Sequence, residues 1–217
     1  MNTQTKKNHG GTSGKAVWII GGIIGCVIAV AAIVALTSSS DTSSTSGTVS
    51  EFSAVTVTGD ILPPHNSDTT DPAVGMTAPV LTGKGFSGNI VTTTPGTPTL
   101  LVFLAHWCPH CQAEVPRLVE WEKSGDMPAG VDVIGIATAT DAANPNYPPS
   151  AWLEREHFPV LWPVMTDSKE KTAGDAFGLS AYPFFVLLDA EGKVVGRQSG
   201  EVPMTDLTTW LQTVATS

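Results

Sequence analysis

The most conspicuous pattern along the chain is an unbroken apolar run. Residues 16–36, AVWIIGGIIGCVIAVAAIVAL, number 21 without a charge. As a helix rising about 1.5 Å per residue they cover roughly 31 Å, the thickness of a hydrocarbon core. Polar residues follow at once: residues 37–50 hold 11 Ser or Thr in 14 positions. Such a stretch buries no core and acts as a tether with a reach of roughly 20 Å. Residues 52–57 then alternate weakly, as a strand does, and residues 60–72 are dense in turn formers.

From Val74 onward the pattern switches repeatedly between strand and helix periods. Residues 99–105, TLLVFLA, are apolar without alternation, which predicts a strand buried on both faces. Between 108 and 123, Ala113, Val115, Leu118 and Val119 share one helical face, with Arg117, Glu120 and Lys123 largely off it. Further strands are predicted at 131–137 and 160–165, and helices at 149–157 and 169–177. Strands 184–188 and 193–198 form a hairpin around a turn at 189–192, and a helix over 204–214 closes the chain. This order implies an α/β fold, a central mixed β-sheet flanked by helices. The chain accordingly divides into an N-terminus (1–15), a transmembrane helix (16–36), a linker (37–50), an N-terminal extension (51–73) and a folded domain (74–217).

Charge adds orientation. With 20 acidic and 11 basic residues the net charge is −9, which repels nucleic acid and makes it an improbable partner. Lys6, Lys7 and Lys15 give residues 1–15 a charge of +3, so the remainder carries 8 − 20 = −12. Lysines before the span and Asp41 and Glu51 after it place the N-terminus in the cytoplasm and the domain outside, in a single-pass membrane protein. Two other readings of residues 16–36 export the same domain. One is a cleaved secretory signal, although the run exceeds the usual core of about 7–15 residues. The other is a lipoprotein, because Ile23-Ile24-Gly25-Cys26 resembles a lipobox, although ten further apolar residues follow Cys26.

Candidate chemistry is concentrated at Trp107-Cys108-Pro109-His110-Cys111. In a helix a spacing of three turns the chain by about 300°, leaving two sulfurs some 60° apart and able to bond. Cys108 falls where a buried strand meets a helix, so unpaired N–H groups and the positive dipole end favour its thiolate. Cys111, one turn inside, is shielded and suited to resolving a mixed disulfide. His110, when protonated, adds to the stabilisation of the Cys108 thiolate. A permanent structural disulfide and a metal site are the competing readings of a single C-x-x-C. With no second cysteine pair and Cys26 in the span, a closed zinc site would need both His106 and His110, and an inert disulfide has no reason to sit at a strand-to-helix junction.

The run Phe103-Leu104-Ala105-His106-Trp107-Cys108-Pro109-His110-Cys111-Gln112-Ala113-Glu114-Val115-Pro116 resembles the active site of the TlpA/ResA-type thioredoxin-like proteins. These are membrane-tethered, extracytoplasmic thiol-disulfide oxidoreductases. The resemblance extends over residues 74–217, through Val74-Gly75-Met76-Thr77-Ala78-Pro79, Ala181-Tyr182-Pro183 and the turn at 189–192. It implies a thioredoxin-like fold with Cys108 as nucleophile, Cys111 as resolving thiol, Pro183 as a cis-proline beside them and Glu114 as a buried acid near the pair. It also implies a helix kinked at Pro116. Glu114 lies three residues past Cys111, at the flank of the apolar face, where desolvation raises a carboxyl pKa and lets it hold or pass the Cys111 proton. The alternative for Glu114 is a surface acid on an exposed helix flank.

Two features depart from the family pattern. Pro109-His110 looks like the dipeptide of DsbA-type oxidases, which leaves the direction of electron flow open between a TlpA-like reductase and a disulfide-forming oxidase. Tyr182 is bulkier than the residue usual before the proline and narrows the groove where substrate binds across Trp107, Cys108 and the Tyr182-Pro183 edge. The implied partners are Cys-containing protein substrates outside the cytoplasm and a membrane redox partner, with no cofactor beyond the Cys108–Cys111 disulfide and no metal. A reading of another class is a non-enzymatic copper-handling protein using His106, Cys108, His110 and Cys111. His9, His65 and His157 show no partner pattern and are expected on the surface.

Overall fold

The structure, a computed structural model, describes residues 1–3 and 49–215. The expected transmembrane helix at 16–36 and most of the linker lie outside the described residues. No helix among the described residues is long and apolar enough to cross a membrane. Residues 49–215 belong to a single compact unit.

Its strands are β1 (Thr56–Thr58), β2 (Val80–Lys84), β3 (Ile90–Thr92), β4 (Thr99–Leu104), β5 (Asp132–Ala137), β6 (Val164–Thr166), β7 (Phe184–Leu188) and β8 (Val194–Ser199). They form one mixed sheet in the order β1-β2-β6-β5-β4-β7-β8, with β3 paired to β2. β4 is central, parallel to β5 and antiparallel to β7. The helices are α1 (Pro109–Ser124), α2 (Pro149–Arg155), α3 (Thr172–Ala176) and α4 (Met204–Ala215).

The apolar run of β4 is buried on both faces, as its lack of alternation predicts. Leu100, Val102 and Leu104 join a cluster with Val115 and Leu118 of α1 and Leu207 and Leu211 of α4. Leu101 and Phe103 point the other way, into a cluster with Phe177, Phe184 and Leu62. β7 divides in the same manner, Phe185 and Leu187 to the first layer and Phe184, Val186 and Leu188 to the second. The end of β4 is therefore gripped from both sides, which makes it a rigid platform for the residues that follow.

Several expected elements differ in extent. The predicted strand at 160–165 shortens to Val164–Thr166, because the Trp162 N–H closes a turn onto the Pro159 carbonyl and leaves Val160 and Leu161 on the surface. The helix predicted at 169–177 begins only at Thr172: Lys171 adopts a left-handed φ of 64°, and buried Asp167 accepts the N–H groups of Ala173 and Gly174. Ala113 is exposed, and the buried face of α1 is formed by Cys111, Glu114, Val115, Leu118, Val119 and Trp121. The β2–β3 hairpin has no counterpart among the expected elements.

The segment 51–73 is held to the domain at several points, with residues 66–70 exposed between them. β1 adds to the sheet edge, Leu62 and Ala73 are buried, and Asp71 forms an ion pair with Arg197 of β8. Arg197 also donates to the carbonyls of Pro63 and Phe177. Gly178 makes this approach possible, since a Cβ there would sit 2.2 Å from the Pro63 oxygen. His65 is not the surface residue expected: it is buried, its Nδ1 lies 3.2 Å from Ser180 Oγ, and its ring packs edge-on against Phe184.

Candidate active site at the end of strand β4

Cys108 is the N-cap of α1, in extended backbone geometry, with Pro109 at the first helical position. Its side chain makes no capping hydrogen bond, and Cys108 stands at the amide end of α1. Cys108 is nearly buried, and its Sγ–H donates to the Tyr182 carbonyl at 3.6 Å. The Tyr182–Pro183 peptide bond is cis, and the loop before β7 lies directly against the nucleophile candidate.

Cys111 lies one turn further on and is fully buried. The Ala105 N–H donates to its sulfur at 3.4 Å. Burial pushes the Cys111 thiol well above the ordinary thiol range, and the nearby Cys108 and Glu114 act in the same direction. Both cysteines are free thiols. The pair therefore has one sulfur at a helix N-terminus and one held protonated in the core.

The loop of residues 138–148 forms one wall. Trp107 Nε1 donates to the Ala139 carbonyl at 2.8 Å, and its ring meets the Tyr182 ring edge-on at 5.8 Å. Burial raises the Tyr182 hydroxyl to about 12, so it stays neutral. His106 is buried beneath this wall. Its Nδ1 donates to the Pro145 carbonyl at 2.7 Å and its Nε2 accepts from the Asp141 N–H at 3.1 Å, so both ring nitrogens are engaged in holding the loop.

Glu114 is fully buried on α1, which excludes the exposed-flank reading. Its Oε1 accepts the Val202 N–H at 3.1 Å, and Arg117 Nη1 lies 2.9 Å from Oε2. Burial dominates and pushes this carboxyl above the usual range, while the Val202 N–H and Arg117 pull it back. His110 is mostly exposed, and its Nδ1 lies 2.8 Å from Glu201 Oε1. The imidazole of the motif is therefore engaged with a carboxylate from the segment after β8.

Trp107, Cys108, Pro109, His110, Cys111, Glu114, Tyr182 and Pro183 thus come from two places in the chain to the end of β4 and the start of α1. Arg117 and Glu201, which link Glu114 to His110, were not anticipated; no sequence signal joins positions 84 residues apart. The copper set does not assemble, because His106 faces the 138–148 loop and His110 faces Glu201. No group of three or more potential ligands is placed to hold a metal ion among the described residues.

Comparison with known proteins agrees with this architecture. The family model described as Redoxin matches residues 73–211. The methylamine utilization protein MauD of Methylobacillus flagellatus is 30% identical over 130 residues, 58% of this chain and 57% of that protein. The chain thus spans little more than half the length of the MauD proteins it matches. The thiol:disulfide interchange protein DsbE homolog of Paracoccus denitrificans is 29% identical over 149 residues, 69% of this chain and 75% of that one. The thiol-disulfide oxidoreductase ResA of Bacillus anthracis is 29% identical over 121 residues, 55% of this chain and 64% of its own. Among solved structures, StoA from Bacillus subtilis superposes with a TM-score of 0.51 at 18% identity, over 64% of this chain and 99% of that one. A disulfide isomerase candidate from Bacteroides thetaiotaomicron reaches 0.55 at 24% identity, over 66% and 91%. At these identities the superpositions bear on the fold, which is thioredoxin-like. By its match over residues 73–211, which carry both cysteines, the chain belongs to the Redoxin family.

Proposed function

We propose that this protein is a membrane-anchored thiol-disulfide oxidoreductase that exchanges disulfides with Cys-containing proteins outside the cytoplasm, in the reducing direction. The observation that carries the reading is the asymmetry of the pair: Cys108 occupies the N-cap position of α1 beside Tyr182–Pro183, while Cys111 is sealed beneath it. The DsbE homolog, a thiol:disulfide interchange protein, and ResA, a thiol-disulfide oxidoreductase, point to the same chemistry.

In this reading the Cys108 thiolate attacks one sulfur of a substrate disulfide. A Cys108–substrate disulfide forms, and the other substrate sulfur leaves as a thiolate that takes a proton from solvent. Cys111 then passes its proton to ionised Glu114 and attacks Cys108 Sγ, which releases the second substrate thiol and leaves the Cys108–Cys111 disulfide. Two electrons have moved from the pair to the substrate. A dithiol partner at the membrane restores the pair by the reverse exchange. Equilibration of the pair with glutathione tests the reading: a protein whose thiols stay unchanged across glutathione ratios is no exchange enzyme.

Direction is supported by His110. Because Glu201 partners its imidazole, His110→Pro is expected to change the equilibrium with glutathione by less than tenfold, or about 30 mV for a two-electron couple. A change of a hundredfold or more toward the reducing side would instead support the oxidase.

The anchor is the 21-residue apolar run at 16–36, long enough to span without a clear cleavage site before the tether. Mass measurement of the membrane-extracted protein is expected to give a chain that retains these residues. A mass that begins near Thr37, or at a lipidated Cys26, would overturn the single-pass topology.

A further inference from the structure

The side chains that join the C-x-x-C dipeptide to the buried carboxylate form a chain of four: His110, Glu201, Arg117 and Glu114. Glu201 uses both oxygens, Oε1 to His110 Nδ1 at 2.8 Å and Oε2 to Arg117 Nη1 at 3.1 Å. Arg117 Nη2 donates to the Val202 carbonyl at 2.9 Å. The guanidinium is therefore oriented by the segment that follows β8. Its consequence shows at Glu114: Arg117 Nη1 lies 2.9 Å from Oε2, yet that buried oxygen accepts no hydrogen bond. Glu201 takes the aligned N–H, and Glu114 receives the charge without the bond.

We propose that Glu201 is a positioning residue for the thiol chemistry: by orienting Arg117 and dividing its charge between two carboxylates, it sets how readily Glu114 takes and releases the Cys111 proton. A carboxylate held by a fully committed, bidentate arginine is a poor proton acceptor, because both oxygens are satisfied in the charged form. A buried carboxylate with one backbone N–H and a shared cation keeps one oxygen available for the proton. Among the described residues, the charged or titratable groups facing Glu114 are Arg117 and Cys111 from α1 and Glu201 from the segment after β8. β4, β7 and α4 contribute Leu104, Phe185 and Leu207, which carry no charge, to the cluster around α1. Glu201 and Arg117 are each a little over one-third exposed, so both can be replaced without opening the core.

The inference rests on the exchange reading above, and its test is separable from it. In the full-length chain labelled with 13C at glutamate carboxyls, Glu114 is assigned by Glu114→Gln and titrated. Glu201→Gln is expected to lower the Glu114 midpoint by about half a pH unit or more, because Arg117 then serves Glu114 alone. Arg117→Gln is expected to raise it. In the Arg117→Gln background, Glu201→Gln is expected to lose more than half of its effect, the non-additivity of a shared partner. The acid limb of the exchange rate against pH is expected to move with the midpoint, which a merely structural role would not produce. An unmoved or raised midpoint in Glu201→Gln overturns the proposal, as does an equal shift in both backgrounds, which would mean that Glu201 acts without Arg117. Failure of the wild-type pair to equilibrate with glutathione overturns the exchange reading instead, whatever the titrations give.

Discussion

Cys111→Ser is expected to accumulate mixed disulfides with protein substrates through Cys108, at least about tenfold more than Cys108→Ser, since attack proceeds but resolution does not. The structure supplies the reason for so large an asymmetry. Cys108 sits at the helix N-terminus against the Tyr182 carbonyl, whereas Cys111 is fully buried with its thiol pushed far above the ordinary range. A substrate disulfide cannot reach Cys111, and at neutral pH Cys111 holds almost no thiolate. Trapping with an alkylating agent, followed by mass spectrometry of the adducts, measures the effect. Equal adducts in both variants, or none in either, would contradict the assignment. Alkylation of the wild-type dithiol is expected to occur first at Cys108, with Cys111 labelled only on unfolding.

Arg197→Met is expected to cost about 3–5 kcal/mol, the usual penalty for stripping one partner from a buried ion pair. Arg197 has a fully buried side chain and serves Asp71, the Pro63 carbonyl and the Phe177 carbonyl together. Its loss leaves the Asp71 charge with only the Ala73 N–H, takes the donor from both carbonyls and unpins the 51–73 segment from β8. Replacing both partners, Arg197→Met with Asp71→Leu, is expected to recover much of the loss, because no unpaired charge remains. The effect also depends on pH. Arg197 holds the Asp71 carboxyl below its ordinary value, so this contribution is full above the unfolded carboxyl pKa of about 3.9 and disappears as pH falls through the folded one. His65 works in the same sense, since burial and Arg197 lower its pKa and folding favours the neutral ring. Its contribution is full above about 6.5 and is lost as pH falls through the folded value. Denaturant melts of wild type and Arg197→Met are therefore expected to draw together as pH drops from 7 toward 3. A constant gap would show that the ion pair is not what Arg197 contributes.

Much of the fold was legible because burial leaves a one-dimensional mark. A strand covered on both faces must be continuously apolar, so β4 and β7 were found nearly to the residue. α4 likewise keeps its apolar spacing, with Leu207, Leu211 and Val214 buried. Legibility failed where apolar residues are not buried or polar ones are. Val160 and Leu161 read as strand but stand in solvent at a turn. Ala113, expected on the buried face of α1, is exposed, and Glu114, the acid that the resemblance places near the pair, is buried there because the Val202 N–H and Arg117 of the same helix meet its carboxylate. His65 and Arg197 are buried for the same reason, each with partners that no local pattern names.

The C-x-x-C spacing and its place at a strand-to-helix junction are local properties, and they were enough to locate the two sulfurs and to suggest which one attacks. The apolar run at 16–36 and the lysines before it are equally local, and they alone carry the expected anchor. What the motif's histidine does was a matter for the folded chain. The order of residues offers His110 as a neighbour of Cys108; the fold hands its imidazole to Glu201, 91 residues away, and ties that carboxylate to Arg117 and Glu114. Covalent neighbours along a helix are set by its periodicity, whereas the partner of an exposed side chain depends on which distant loop the sheet brings beside it. Here that is the segment after β8, which only the pairing of β8 with β7, and of β7 with β4, carries to the mouth of the site.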